Sequence, residues 1–563
     1  TRLRGNSRFL KISDAIPARV VMVRCDMQRC LLMIMAPVCL LLSSCQRETQ
    51  VERANREGIL LVGNSAEPKA LDHQLVTGVV ESKLITAMFE GLVADHPSQD
   101  DAAPPGAAAS WEHNEEMTEW VFRLQPGGKW SDGVPVTAHD FVFSYHRLLH
   151  PDFAGPYAEM LYFIKNAEDF NKGEIDDFSR VGVEAVDSFT LRVKLREPVP
   201  YLPSLTRHYT WFPVPRHVVL QHGEMTDRFT KWSTLGHLVG NGPFKLKKWR
   251  FHDFIETERN PHYWNAAAVG LNGIRFFPIE NPYTETRAFL SGQLHTTYQL
   301  PSDLIRSVKK NNPQYLRQEP YVGTTFIRLN TTQPALSDPR VRQALSLTLD
   351  REQICEHIME GFFPARSLTP KMGAYEPEPA LGYDPEKARA LLAEAGFPNG
   401  DGFPVFSLMI ARPAARAGAE AIQAMWRQHL NIRVNIQNRD WGSYISAQQS
   451  LNFDMASAGW IGDYLDPTTF LNMWTAGNGN NNTGWSDPRY EALLREAALK
   501  AEPAERFALF REAEALLMEA QPILPISHYT RNYLLRPEVK GWHPLLLDNH
   551  PWEAIRLDSE ISN

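Results

Sequence analysis

The stretch AGWIGDYLDP at 458–467 places two aspartates, Asp463 and Asp466, three positions apart beside aromatic and glycine residues. Two neighbouring carboxylates could serve as the acid and base of a glycosidase, hold a metal ion, or anchor a cationic ligand. A spacing of three residues in the sequence does not fix the distance between the carboxylates or the pKa of either. The residues around each aspartate are therefore needed to distinguish a catalytic pair, a metal site and an anchor for a cationic ligand.

The two aspartates have different surroundings in the sequence. Asp466 precedes Pro467, which is typical of a turn or a helix cap. Asp463 follows Gly462 and lies close to the bulky Trp460. An ionised carboxylate in an aromatic-lined, partly dry cleft costs free energy unless it is paired with a cation. A ligand ammonium could pair with it, and the charge-assisted hydrogen bond would contribute about 1.5–3 kcal/mol. Asp463 is therefore either an ammonium anchor or a buried structural aspartate.

Signatures of enzymes and metal sites are missing from the sequence. It has no G-x-S-x-G, H-E-x-x-H or C-x-x-C, and PGGKW at 126–130 lacks the other residues of a phosphate loop. His146 and His150 have helical spacing, but His150 precedes Pro151 and no third ligand follows nearby. We therefore predict no catalytic residue, no metal site and no cofactor. A secreted hydrolase that uses Asp463 and Asp466 is the alternative from another class.

The composition is that of a folded globular protein with several domains. The chain has 563 residues, 43% apolar residues and a net charge of −8, and its length suggests about three domains. No basic excess indicates nucleic acid, and KLKKWR at 245–250 is interpreted as the solvated face of a strand. We expect no nucleic-acid partner.

The first 58 residues carry the features of export. Two arginines precede the apolar run CLLMIMAPVCLLL at 30–42, and the sequence LSSC at 42–45 follows it, as in a bacterial lipobox. Cys45 would then become the first mature residue and carry lipid; a plain secretory signal with a chance cysteine is the alternative. Residues 1–45 are assigned to an upstream segment and this signal, with Met22 or Met27 as the true start. The polar segment 46–58 is predicted to be a flexible tether.

Helices and strands alternate irregularly along the rest of the chain. FTLRVKL at 189–195 has the alternation of a half-buried strand, and TAHDFVFSYHRLL at 137–149 begins with a capping box formed by Thr137 and Asp140. Helices are also predicted after Asp384-Pro385, after Asp487-Pro488 and over 503–519. This mixture favours several α/β domains over one barrel.

Several blocks of the sequence together resemble one known family. AGWIGDYLDPTTFLNMW at 458–474 and NNNTGWSDPRYEALL at 480–494 are similar to the signature region of the periplasmic oligopeptide-binding proteins of ABC importers. Further similar blocks cover 66–92, 111–149, 238–264 and 338–352. The resemblance extends over nearly the whole mature chain and in the same order.

This resemblance implies an α/β protein of two lobes with an extra inserted third domain, the cluster C type of periplasmic binding protein. The first lobe would be discontinuous, and the expected ranges are 50–89, 211–319 and 532–563 for lobe I, 90–210 for the inserted domain and 320–531 for lobe II. The two lobes would close on the ligand by a hinge motion.

The resemblance also assigns a binding site for an extended peptide, held as an added strand between the lobes. Thr77, Gly78 and Val79 would give one backbone edge, and Gly459, Trp460 and Ile461 the other. Asp463 would bind the α-ammonium of the peptide. The side-chain pockets would be lined by three aromatic residues, namely Tyr157, Trp441 and Trp460; ordinary core positions are the alternative for these aromatics.

Two positions depart from the pattern of well-known members. Ser457 replaces an arginine that can meet the carboxylate of a short peptide, and Thr77 replaces an acidic residue. Arg412 or Arg416 could compensate, although surface exposure is the stronger expectation for both.

The implied function is that of a monomeric, lipid-anchored binding protein in the periplasm or cell envelope. It would capture oligopeptides and deliver them to the permease subunits of an ABC transporter with cytoplasmic ATPases. Dipeptides, muropeptides or non-peptide ligands are the alternatives within the same fold.

Overall fold

The computed structural model describes residues 48–380, 382–411 and 415–558. The strands are β1 Ile59–Gly63, β2 Ala108–His113, β3 Glu119–Leu124, β4 Val183–Asp187, β5 Thr190–Lys194, β6 Phe244–Arg250, β7 Phe254–Arg259, β8 Gly273–Phe277, β9 Leu316–Leu329, β10 Phe363–Pro364, β11 Phe406–Ile410, β12 Val434–Asn438, β13 Met455–Ile461, β14 Ile523–Leu534, β15 Val539–Lys540 and β16 Arg556–Leu557.

The α-helices are α1 Gln50–Glu57, α2 Val79–Met88, α3 Ala138–Leu149, α4 Ala167–Asn171, α5 Leu202–Leu205, α6 Arg216–Gln221, α7 Pro282–Leu290, α8 Ser302–Asn311, α9 Pro334–Ser337, α10 Pro339–Leu347, α11 Arg351–His357, α12 Pro385–Glu394, α13 Arg416–Leu430, α14 Trp441–Gln449, α15 Thr468–Leu471, α16 Pro488–Ala498 and α17 Pro503–Ala520. Among the described helices, none combines the length and the apolar composition that a membrane crossing requires.

Three larger sheets organise these elements. One sheet has the order β1-β8-β7-β6, and a second, entirely antiparallel sheet has the order β2-β3-β5-β4. The third sheet has six strands in the order β10-β14-β9-β13-β11-β12 and mixes parallel with antiparallel pairs. The first two sheets share one apolar core, whereas the main cores around the third are separate.

The long strands β9 and β14 form an antiparallel ladder with two irregularities in register. Glu319 pairs with Arg531, and Gln318 pairs with Asn532. The sequence places its lobe boundaries between 319 and 320 and between 531 and 532. Both predicted boundaries therefore lie side by side on this ladder, although the boundaries themselves stay predictions.

Several local predictions are confirmed. Thr137 and Asp140 form the capping box of α3, and β5 has buried Leu191 and Val193 on one face. The helices predicted after Asp384 and after Asp487 are α12 and α16. In each of these cases a local signal, either a cap or an alternation, coincides with burial of one face.

The predicted flexible tether over 46–58 is wrong for its second half. Residues Gln50–Glu57 form α1, which begins at a complete capping box between Thr49 and Glu52. Val51 and Ala54 are buried in a small cluster with Leu61 of β1. The segment is polar in overall composition, but these two residues form a narrow apolar stripe by which the helix docks.

The cysteines contribute no described disulfide. Cys355 is buried in α11 as a free thiol. Cys45 and the signal segment lie outside the described residues.

Candidate functional site

Asp463 lies in the loop between β13 and α15, where its backbone N–H donates to Thr469 Oγ1 at 3.2 Å. Burial raises the pKa of its carboxyl group to about 6, and the nearby carboxylate of Glu159 contributes in the same direction. Within the described residues, no side chain forms an ion pair or a hydrogen bond with the Asp463 carboxylate. The site therefore holds a largely buried acid for which the described residues supply no compensating cation.

Tyrosine side chains surround this acid. Tyr157 precedes the 3₁₀ helix Ala158–Leu161 and is half-buried; burial, and secondarily Asp463, raises its pKa to about 12. The Asp463 carboxylate also contributes to raised pKa values of Tyr209, Tyr321 and Tyr464. The sequence predicts a role only for Tyr157. Tyr464 lies next to Asp463 in the AGWIGDYLDP stretch but has no predicted role, and Tyr209 and Tyr321 are far from it in the chain and belong to no motif.

The segment at Thr77 approaches the same place. The Tyr209 hydroxyl donates to the backbone O of Val76 at 3.3 Å, and the Tyr209 ring lies 6.4 Å from the ring of Tyr157. Two tyrosines thus connect the residue before Thr77 with the surroundings of Asp463. The fold brings these three predicted parts of the site together from positions nearly 400 residues apart in the sequence.

The backbone of this segment is not a uniform strand edge. Gly78 is extended, with φ −99° and ψ 147°, but it caps α2, and Val79 is the first helical residue. The first helical hydrogen bond runs from Ser82 N to Gly78 O. The Val79 N–H therefore lies in the first turn, where no carbonyl of its own helix can accept it.

On the other side of the site, strand β13 has an open edge. Its residues Met455–Ile461 all pair with β9, but in the described part of the sheet it pairs with β11 only at Met455 and Ala456. Strand β11 continues instead beside β12, up to the pair Ile410 and Asn438. Strands β11 and β13 therefore diverge after Ala456, and among the described residues no strand pairs with β13 on this side from Ser457 to Ile461.

The alternation of the antiparallel ladder decides which backbone groups face this fork. Gly462 N donates to Val322 O at 2.8 Å, toward β9. Because alternate residues turn to opposite sides, Trp460 also turns to β9, whereas Gly459 and Ile461 turn to the open edge. The side-chain-free Gly459 and the exposed Ile461 thus offer the free backbone groups, and the backbone of Trp460 does not.

The two predicted tryptophans occupy different environments. Trp460 is half-buried, and its indole Nε1 is buried with no hydrogen-bond partner among the described residues. Trp441 begins α14 and is 59% exposed, with its ring stacked on Tyr444 at 5.6 Å. The Tyr444 hydroxyl in turn donates to Ser457 O at 2.6 Å, which connects Trp441 with the strand that carries Gly459.

Asp466 has a structural role. Its carboxylate accepts hydrogen bonds from Thr468 N and Oγ1, in a turn that leads into α15, and two more from Arg506 at 2.5 and 2.7 Å. Both side chains of this pair are buried. Of the two structural roles predicted for Asp466, the turn is confirmed and the helix cap is Pro467 instead. The charge that a catalytic partner of Asp463 would need is already neutralised by Arg506.

Arg416 is on the surface in the described structure. Its Nε donates to Glu420 Oε1 at 2.9 Å across one turn of α13, and its side chain is 58% exposed. Arg412 lies outside the described residues. The KLKKWR segment forms most of β6, where Lys245 and Lys247 pair with glutamates of β7.

Across residues 48–380, 382–411 and 415–558, no group of three or more His, Cys, Asp or Glu side chains could hold a metal ion. The rings of His146 and His150 lie 5.8 Å apart, and His146 stacks on Phe178 at 4.1 Å.

The family profile "Bacterial extracellular solute-binding proteins, family 5 Middle" matches residues 103–482. The chain belongs to this family. Solute-binding protein family 5 consists of binding proteins rather than enzymes, and the resemblance to its oligopeptide-binding members is confirmed. The two-lobed α/β fold expected from the sequence is confirmed as well.

Relatives within family 5 are similar over most of their length. The periplasmic oligopeptide-binding protein OppA of Salmonella typhimurium is 35% identical over 498 residues, which cover 86% of this chain and 89% of OppA. Among solved structures, the unliganded open form of the periplasmic murein tripeptide-binding protein MppA has a TM-score of 0.78 and 31% identity, covering 89% of this chain and 97% of MppA. Haemophilus influenzae OppA in complex with the peptide RPPGFSPFR has a TM-score of 0.71 and 33% identity, covering 89% of this chain and 99% of that OppA.

Proposed function

We propose that this chain is a lipid-anchored solute-binding protein that captures oligopeptides between its lobes and delivers them to an ABC permease. The observation that carries the proposal is the Asp463 carboxylate, which is largely buried, has no cationic partner among the described residues and lies at the end of an open strand edge. A peptide offers the two groups that this arrangement lacks, a terminal ammonium and an extended backbone.

The ammonium would bind Asp463, and the peptide backbone would pair with Gly459 and Ile461. Asp463 becomes more stable as an anion when a positive charge approaches, because the charge offsets the desolvation that raises its pKa. Tyr157, Trp441 and Trp460 would line the side-chain pockets, where ordered water can adapt to different ligand residues. Thr77, Gly78 and Val79 would complete the site from the opposite lobe.

Closure of the lobes would connect binding with delivery. Each lobe supplies part of the site, so a bound peptide stabilises the closed arrangement that a permease can distinguish from the open one. Acylation of Cys45 would keep the protein beside the transporter. Replacing Cys45 by serine should release the protein from the membrane fraction, while retention of that variant in the membrane would contradict the anchor.

Native mass spectrometry of the purified protein tests the ligand class directly. We expect co-purified peptides of mixed sequence and similar length. A single non-peptide species would contradict the proposal. Asp463→Asn should retain less peptide than the wild type, and Asp384→Asn is the matched control because Asp384 only caps α12.

A further inference from the structure

Tyr444 marks the place where the open edge of β13 ends. Strand β11 pairs with β13 at Met455 and Ala456, and the next backbone carbonyl, that of Ser457, accepts the Tyr444 hydroxyl at 2.6 Å. Ser457 turns to the same side as Gly459 and Ile461, because these residues alternate along the strand. The Ser457 carbonyl is thus engaged before any ligand arrives.

The position of Tyr444 is well defined by its packing. Its side chain is buried in a small apolar cluster with Met409, Ala447, Phe453 and Ala456. The helix that carries it is capped by Asp440, whose side chain accepts from Ser443 N. The hydroxyl is therefore held at Ser457 by core packing on one side and by its stacking partner Trp441 on the other.

The proposed peptide runs in a defined direction along this edge. Asp463 follows the carboxyl end of β13, so a peptide whose amine binds Asp463 extends from there toward Gly459 and Ser457. That direction is antiparallel to β13. In an antiparallel pair, residues that exchange two hydrogen bonds recur at every second position. One ligand residue then pairs with Ile461, the residue two positions later pairs with Gly459, and the next in the series would face Ser457.

We propose that Tyr444 is a specificity-determining residue that limits the backbone-bonded part of the ligand to three consecutive residues. This inference rests on the proposed function. Ligand residues beyond the third or fourth find no free carbonyl at Ser457 and add little to affinity. Longer peptides still bind, but their distal part is held by side chains and water only.

The test uses equimolar, mixed-sequence pools of free peptides, one pool for each length from three to six residues. Native mass spectrometry then measures the ratio of pentapeptide to tripeptide complexes. For the wild type we expect a ratio near one. Tyr444→Phe keeps the ring and its stacking but frees the Ser457 carbonyl, and one added hydrogen bond should raise the ratio about three- to tenfold.

Tyr383→Phe is the matched control. It removes a hydroxyl that contacts His429 on the surface of the predicted lobe II, residues 320–531. The ratio of pentapeptide to tripeptide complexes should therefore stay as in the wild type. A melting temperature for each variant verifies the fold. A steady rise in wild-type affinity from three to six residues would overturn the inference, and so would an unchanged ratio in Tyr444→Phe. If the wild type binds no pool at all, the proposed function itself fails, and the inference fails with it.

Discussion

Arg506 donates to both carboxylate oxygens of Asp466, at 2.5 and 2.7 Å, and its guanidinium lies over the ring of Tyr201 at 4.9 Å from the centroid. The Tyr201 ring stacks in turn on Tyr464, at 5.6 Å and an interplanar angle of 8°. Tyr464 is the neighbour of Asp463 in the chain. The ion pair therefore supports the loop that carries the proposed ammonium anchor and ties it to Tyr201, which belongs to the segment 90–210.

Arg506→Met should strongly destabilise the protein. The substitution leaves the buried Asp466 carboxylate with only its hydrogen bonds from Thr468, and breaking one side of a buried pair costs about 3–5 kcal/mol. Urea unfolding should show this loss. Arg489→Met removes an exposed partner of Asp487 and should cost less than about 1 kcal/mol. Equal effects of the two substitutions would contradict the role assigned to Asp466.

Binding of free-amine peptides should depend on pH through Asp463. The pKa of this group is about 6 in the ligand-free protein, and an ammonium favours its charged form. Affinity should be constant near pH 7 and fall by up to about tenfold per unit as the pH drops below 6, because a proton must first leave. Burial also raises the pKa of Glu159, whose carboxylate acts on Asp463, and its protonation adds to the same trend.

Titration calorimetry between pH 5 and 7.5 measures this dependence, a range in which the peptide amine stays largely protonated. Asp463→Asn should flatten most of it. A wild-type affinity that does not change over this range would show that Asp463 is not the group that binds the amine.

Glu90 should make stability depend on pH in the opposite direction. Its carboxyl is buried between the Tyr263 hydroxyl and the Trp264 indole, and burial raises its pKa to about 8. A raised pKa gives stability that is complete below the unfolded value near 4.5 and is lost as the pH rises through 8, by about 1.4 kcal/mol per unit. Glu553, with a pKa raised to about 7, contributes a further part.

Glu90→Gln should remove most of that loss, because an amide stays neutral and can still bond to both aromatic partners. Unfolding free energies at pH 5 and pH 8.5 provide the comparison. The exposed Glu378→Gln should behave like the wild type. A wild-type loss of stability that persists unchanged in Glu90→Gln would contradict a charge effect at this position.

Local signals predicted local structure well in this chain. Caps such as Thr137 and Asp384 define helix starts because a side chain next to the helix satisfies its free N–H groups. The tether prediction failed at Val51 and Ala54, where two buried side chains outweighed a polar composition. Such docking depends on Leu61, whose position is set by a sheet that no local pattern shows.

The residues of the candidate site also fall into two groups: those that the sequence could identify and those that only the fold brings to the site. Asp463 and Gly459 lie in one short contiguous motif, so the family resemblance could identify both from the sequence. Tyr209, Tyr321 and Tyr444 reach the site only through the pairing of distant strands and helices, and a tyrosine in the sequence carries no sign of its destination. The open edge at Gly459 and Ile461 likewise follows from where β11 leaves β13, which is a property of the sheet.

A thermodynamic cycle measures the proposed contact between Asp463 and a ligand ammonium directly. One tripeptide is compared in its free and amino-terminally acetylated forms, against the wild type and Asp463→Asn, by titration calorimetry. We expect acetylation to weaken binding to the wild type by about 10- to 150-fold and to have little effect in the variant. Equal binding of both forms by the wild type would contradict this contact.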